Sequence, residues 1–177
     1  MGRTRDYTLV DVDVGLILDA FGRGQVGPRV DAERATRLAE EAQSLTRDLA
    51  LRADRQRRGQ ADESELTDRT ASAAQVARAY ESWLRVFPAG EQHVDLRLNL
   101  AESYADAEDW VRAGHRYREA AQALGDRAED GDDKARVQAL LDAVVSYEKA
   151  LEGGGRRLDR VAARAGLREA GGSFLAE

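Results

Sequence analysis

The sequence predicts an all-α protein, and three observations lead to that expectation. The chain of 177 residues is rich in alanine, leucine, arginine and glutamate, which lose little rotamer freedom in a helix. Only two prolines interrupt it. Apolar residues recur at intervals of three and four, the spacing of one helical face. With 42% hydrophobic residues, the chain has enough apolar side chains to bury a core.

Charge and composition argue against several classes of function. The formal net charge is −6, which is the wrong sign for a general nucleic-acid binder. The chain has no cysteine, so it forms no disulfide, no thiolate metal site and no thiol nucleophile. We expect no cofactor, metal ion or nucleic acid among its ligands. The sequence leaves the oligomeric state open.

No segment has the character of a membrane anchor or a leader peptide. Asp11, Asp13 and Asp19 break the apolar run near the N-terminus. No stretch reaches the ~18 consecutive apolar residues that a membrane helix needs. We therefore expect no direct membrane insertion and, for the chain as written, a place in the cytoplasm. If the chain is a piece of a larger protein, the periplasm or cell envelope is expected instead.

Residues 1–29 are expected to form an irregular N-terminal segment. Residues 8–14 alternate apolar and polar side chains and are rich in valine, which favours a short strand. Residues 15–21 are equally compatible with one or two helical turns. Three glycines and Pro28 then indicate a loop.

Apolar periodicity predicts six helices after this segment. The expected ranges are about 31–58, 68–87, 94–107, 110–124, 133–151 and 156–170. Pro88 ends the second helix, because proline cannot continue the hydrogen-bond ladder. Three consecutive glycines after position 152 make a flexible break, and Gly171 begins a tail. The expected organisation is helical repeats over 30–152, then a Gly-rich linker, short helix and tail over 153–177.

Three of these helices have apolar faces that we expect to be buried. In the first helix the face consists of Leu38, Ala42, Leu45, Leu49 and Ala53. In the second helix it consists of Val76, Tyr80, Trp83, Leu84 and Phe87. In the fifth helix it consists of Val137, Leu141, Val144 and Leu151.

The third and fourth helices carry a regular pattern of small and aromatic residues. The pattern consists of Leu100, Ala101, Tyr104, Ala113, Tyr117 and Ala120. Alanines allow two antiparallel helices to approach closely, and the tyrosines fill the space beside them. These spacings resemble the tetratricopeptide-repeat family over residues 94–124. The helix before Pro88 resembles the second half of a preceding repeat, as found in bacterial cell-envelope assembly and coordinator proteins of that family.

The chain departs from that family's pattern at several places. Trp83 stands where the family prefers alanine. Arg97 stands where the family has an early tryptophan, and Gly125 stands near the position of the closing proline. Val76 and Ala113, which correspond in successive repeats, are 37 residues apart, against ~34 in the family. The alternative is an ordinary helical bundle in which these spacings arise by chance.

The resemblance implies antiparallel hairpins stacked as a short α-solenoid. It also implies a non-catalytic scaffold for protein interaction or assembly; the alternative is a helical subunit packed permanently into a larger complex. In such arrays the first helix of each repeat lines the concave surface, which places the partner-binding surface on the third helix. Its residues are Asp95, Leu98, Asn99, Glu102 and Asp106. With three carboxylates and no lysine, this surface is expected to bind a partner with a basic segment. The alternative is that it binds no ligand and only keeps the chain in solution.

Asp11 and Asp13 form the only pattern that suggests catalysis. They resemble the first motif of haloacid dehalogenase-like phosphatases, in which one aspartate is the nucleophile and the other an acid/base group. That chemistry needs a parallel sheet and downstream motifs, whereas the rest of the chain has helical periodicity. A phosphatase is therefore only a remote alternative, and we expect no catalysis.

The remaining polar patterns favour structural roles. His93, expected in a loop, and His115, on the fourth helix, have no companion at metal-ligand spacing. The acidic stretch 126–133 lacks the ligand spacing of a calcium loop, so a solvated, helix-capping loop is expected. The last helix has an arginine stripe, expected to be solvated, with an acidic partner or phosphate as the alternative. The stripe consists of Arg157, Arg160, Arg164 and Arg168.

Overall fold

A computed structural model describes residues 32–61, 71–87, 93–126, 132–153 and 157–175. Within these ranges the chain forms six helices and no strand, which confirms the all-α prediction. The helices are α1 (Ala32–Arg57), α2 (Ala73–Val86), α3 (His93–Asp106), α4 (Trp110–Gly125), α5 (Asp132–Glu152) and α6 (Arg157–Phe174). The strand or helical turns expected within 1–29, and the Asp11/Asp13 motif, lie outside the described residues.

Two helix starts are set by side-chain caps. At α2, the Ser72 hydroxyl accepts from the Gln75 amide at 3.3 Å, and the Gln75 side chain accepts from the Ser72 amide at 2.9 Å. This capping box satisfies two backbone donors that the helix itself leaves unpaired. At α4, the Asp109 carboxylate accepts from the Arg112 amide at 3.4 Å and from its guanidinium at 3.1 Å.

The prediction that a tail begins at Gly171 is wrong. Helix α6 continues through Gly171 to Phe174. A glycine costs about 1 kcal/mol in a helix interior, so the extension needs a compensating contact. Phe174 supplies one, because its ring packs against a buried cluster that includes Leu124 of α4 and Leu140 of α5.

The chain divides into two compact units, and the first, within residues 1–90, contains α1 and α2. These helices pack against each other, and the Trp83 indole donates to the Gln43 carbonyl at 3.0 Å. Most residues of the two predicted apolar faces are buried. Leu84 and Phe87 are half-buried, and Leu45 is exposed over 42% of its surface. The side chain of Leu38 lies outside the described residues.

The buried face of α1 includes a residue that hydrophobicity does not reveal. Thr46 is fully buried, and its hydroxyl donates to the Ala42 carbonyl at 2.6 Å. This bond satisfies the polar group inside the helix itself, so Thr46 is buried without an unpaired hydroxyl. The buried face is consequently rotated away from Leu45.

The second unit, residues 91–177, contains α3 to α6. Each helix packs on the next one in the chain, and α6 also contacts α4. The α3–α4 connection has only three residues, and Glu108 within it has a positive φ of 58°. A connection this short makes α3 and α4 antiparallel neighbours.

The buried face of α5 differs from the predicted one. Of the predicted residues, Leu141 is 41% exposed, and Val137, Val144 and Leu151 are only half-buried. The residues buried instead are Ala139, Leu140, Ala143, Tyr147 and Ala150. Both faces are apolar, so periodicity alone cannot choose between them. The choice follows from packing, because the side toward the neighbouring helices must accept close approach, which small side chains allow.

Candidate functional site

The α3–α4 hairpin places the six motif residues in its interior. None of them is more than 8% exposed, and the three alanines, Ala101, Ala113 and Ala120, are completely buried. The side chains expected to pack between the two helices are thus removed from solvent. Burial of this kind is shared by tetratricopeptide repeats and other helical hairpins.

Arg97, which departs from the family's pattern, takes part in an ion pair across the hairpin. Its guanidinium lies 3.9 Å from the Glu119 carboxylate on α4, which also accepts from Arg116 at 2.8 Å. A second contact joins the same helices, because the Arg112 guanidinium lies 5.5 Å from the centre of the Tyr104 ring. These partly exposed pairs contribute little to stability individually.

The predicted partner surface lies on the side of α3 away from most of its buried residues. We call Asp95, Asn99, Glu102 and Asp106 the acidic stripe. Asp95 and Asp106 are exposed, and Asn99 and Glu102 are half-buried. Successive spacings of four, three and four residues keep all four on one helical face. Leu98, also assigned to this surface, packs partly buried against the core cluster, so it supports the helix from beside the stripe.

Tyr147 of α5 is the centre of a polar cluster that the sequence did not reveal. Its side chain is fully buried, and its hydroxyl lies 3.1 Å from His115 Nδ1 on α4. The two rings meet edge to face, with centroids 5.6 Å apart. The Arg118 side chain also lies near the phenol, and its guanidinium pairs with Glu169 of α6. The cluster therefore links α4, α5 and α6.

Burial affects the protonation of both rings. It lowers the pKa of His115 below its ordinary value, and the positive charge of Arg118 lowers it further. Burial also raises the pKa of Tyr147, against the opposing effect of Arg118. His115 is thus neutral and Tyr147 protonated near pH 7, which allows the phenol to donate to Nδ1 in one imidazole tautomer. Tyr147 has no exposed surface, so its ring packs in the interior and its hydroxyl bonds to His115 rather than to a ligand from solvent.

A buried carboxylate lies in the first unit. Asp54 is 6% exposed and accepts from Arg57 and Arg58, each at 3.0 Å. The Tyr80 hydroxyl approaches its other oxygen at 3.4 Å, which joins the end of α1 to α2. A carboxylate with this many partners has a structural role in fixing the two helices.

Two surface pockets lie among the described residues of the second unit. One, of about 650 Å³, lies at the α3–α4 turn, where Lys149 Nζ stands 4.3 Å from the centre of the Trp110 ring. The other, of about 390 Å³, lies between α4, α5 and α6 and is lined by Arg118, Arg136 and Glu169 among others. Both contain charges of either sign, which favours no particular class of ligand.

The other candidate residues lie apart from one another. His93 is the first residue of α3 and is buried, so its expected loop position is wrong. In the part of the chain that the structure describes, no three His, Cys, Asp or Glu side chains are grouped to hold a metal ion. Residues 127–131 of the acidic stretch are outside that part. Three arginines of the α6 stripe, Arg160, Arg164 and Arg168, are exposed.

None of the described helices is both long enough and apolar enough to span a bilayer. In comparisons with known proteins, no family model, no curated protein and no solved structure matched the chain. The tetratricopeptide interpretation therefore depends on the spacing of the hairpin residues.

Proposed function

We propose that the chain is a non-catalytic scaffold for protein interaction or assembly, built from tetratricopeptide-like hairpins. The proposal is supported by the burial of all six motif residues in the α3–α4 hairpin. The observation that carries it is the acidic stripe, which gathers the carboxylates of Asp95, Glu102 and Asp106 on one face of α3. An ordered helix that carries three carboxylates on one face is suited to recognising a second protein.

The partner proposed for this stripe presents a segment rich in lysine or arginine. Opposite charges attract over a Debye length of about 8 Å at physiological salt, which favours encounter and orientation of a basic segment. Binding should therefore weaken as the salt concentration rises. The competing interpretation is that the stripe only keeps the chain in solution.

A selection from a displayed peptide library tests the proposal. The wild-type chain is expected to enrich basic peptides, and a variant with Asp95, Glu102 and Asp106 changed to serine should lose them. The matched control changes Glu40, Glu41 and Asp48, three exposed carboxylates of α1, and alters the net charge equally. Enrichment that is unchanged in the stripe variant, or equally lost in the control, would refute binding at the stripe.

A permanently packed helical subunit is the second candidate function. The exposed Leu141 and Val145 on α5 favour it, because such a subunit keeps apolar surface for its neighbours. Expressed alone, a subunit of this kind would aggregate without a defined stoichiometry. A phosphatase using Asp11 and Asp13 has less support, since the described residues contain no strand that could hold the two carboxylates.

A further inference from the structure

The side of α5 that faces away from its neighbours carries an ordered row of exposed residues. We call it the outer α5 stripe, and it consists of Lys134, Gln138, Leu141, Val145, Glu148 and Glu152. All six are exposed, and they alternate at spacings of four and three residues. This spacing keeps a row of side chains in line along a helix, as in the contact seam of a coiled coil.

The centre of the row is apolar. Leu141 is 41% exposed and Val145 is 39% exposed, and they are one turn apart. Val137 and Val144 lie half-buried beside them. The middle of α5 therefore carries apolar side chains on two opposite sides, one packed on α4 and α6 and the other exposed to solvent. A helix that is apolar on both sides is typical of one that is covered on both sides.

The arrangement of charges indicates what covers this face. The row has a basic end at Lys134 and an acidic end at Glu148 and Glu152, with the apolar pair between them. Reversing the helix about Ala143 exchanges Leu141 with Val145 and Lys134 with Glu152. The row is thus complementary to a reversed copy of itself.

We propose that the outer α5 stripe is the contact surface of a homodimer, in which α5 of a second copy lies antiparallel across it. Leu141 of each copy packs on Val145 of the other, and Lys134 of each copy meets the other's Glu152. A parallel arrangement would place lysine beside lysine and glutamate beside glutamate, so repulsion disfavours it. The contact is two-fold symmetric and therefore closes at two copies.

The expected dimer is weak. Lys134 and Glu152 are separated by about 27 Å along the helix, at 1.5 Å per residue. A contact of one helix from each copy buries less than the ~1,600 Å² of a standard stable interface. Dissociation in the micromolar range or above is expected, and the surface does not overlap the acidic stripe of α3. The inference is therefore independent of the proposed partner binding.

Sedimentation equilibrium over a series of protein concentrations tests the dimer through charge reversal. Lys134→Glu and Glu152→Lys each turn two attractive pairs into two repulsive pairs, so each should weaken association about tenfold. The double variant restores opposite charges and should dimerise like the wild type. Both residues are exposed, so the changes leave the helix packing intact.

Two further variants test the apolar centre and the orientation. Leu141→Asp should abolish the dimer, whereas Leu45→Asp on α1, where the leucine is equally exposed at 42%, should not. The natural chain has no cysteine, so any disulfide that forms must join the introduced thiols. An equal mixture of Leu141→Cys and Val145→Cys chains should form a mixed disulfide dimer, and Lys134→Cys chains should not crosslink. A wild-type chain that stays monomeric up to millimolar concentration, no restoration by the double charge reversal, or crosslinking through position 134 would overturn the proposal.

Discussion

The Tyr147 ring on α5 packs against Gly114 of α4 so closely that a Cβ at position 114 would stand 2.7 Å from the ring. A Cβ at Gly166 of α6 would overlap the same ring from the other helix. The two glycines therefore accommodate one aromatic side chain between three helices. This is a position where only the absence of a side chain permits the packing.

Gly114→Ala should destabilise the second unit. The added methyl forces Tyr147 to move, and overpacking of this kind costs about 1–3 kcal/mol, only partly offset by the better helix propensity of alanine. Urea unfolding followed by circular dichroism would measure the change. The matched control is Gly171→Ala in α6, where a Cβ meets nothing within 4 Å. That variant should gain up to about 1 kcal/mol, so a similar shift in both variants would contradict the close packing.

Stability should fall with acid through His115. Its folded-state pKa lies below the ordinary value of 6.5, so below pH 6.5 the unfolded chain binds more protons than the folded one. The contribution of neutral His115 is complete above pH 6.5, declines as the pH falls toward the folded-state pKa, and is constant below it. Protonated Nδ1 also ceases to accept the Tyr147 hydrogen bond.

Unfolding midpoints of the wild type and of His115→Gln between pH 7.5 and 5 would measure this effect. The difference between the two proteins isolates His115 from groups that titrate in both. The wild type should lose more stability than the variant over this range. Parallel pH profiles would show that His115 is protonated equally in the folded and unfolded chains.

Ala113→Glu should be strongly destabilising. Ala113 has no exposed surface, so the change overpacks the hairpin and buries an unpaired carboxylate, at a cost of several kcal/mol. Thermal unfolding would show a large decrease in the midpoint. Ala135→Glu, at an exposed position of α5, is the control and should change stability by less than about 0.5 kcal/mol. If the Ala113→Glu chain melts within a few degrees of the wild type, the alignment of the hairpin with the tetratricopeptide pattern is wrong.

Changing Asp11 and Asp13 together to asparagine should leave every activity of the chain unchanged. The wild type should not hydrolyse a generic phosphate ester in the presence of magnesium, because the helical remainder of the sequence lacks the motifs that complete such a site. A colorimetric phosphate-release assay measures this directly. Magnesium-dependent turnover that disappears in the double variant would establish the phosphatase alternative instead.

The candidate site was predictable in part. The burial of Ala101, Ala113 and Ala120 followed from their spacing, because alanines repeated across two helices indicate close approach. The placement of Asp95 and Asp106 on an exposed helical face also followed from spacing. Whether that face binds a partner stays a prediction. The cluster of His115, Tyr147 and Glu169 was not predictable, because its members come from three helices and share no local pattern.

The sequence by itself determined the helical class and the approximate range of each described helix, although α2 begins at Ala73 rather than near residue 68, and α3 already begins at His93. Propensity, periodicity and Pro88 act within a few residues, so they can be recognised along the chain. Only the tertiary structure decided which of the two apolar faces of α5 is buried and that α6 continues to Phe174. Those outcomes depend on the neighbouring helices, namely on space beside Gly114 and Gly166 for Tyr147 and on a core cluster for Phe174. Periodicity identifies an apolar face, but its burial requires a complementary surface from distant parts of the chain.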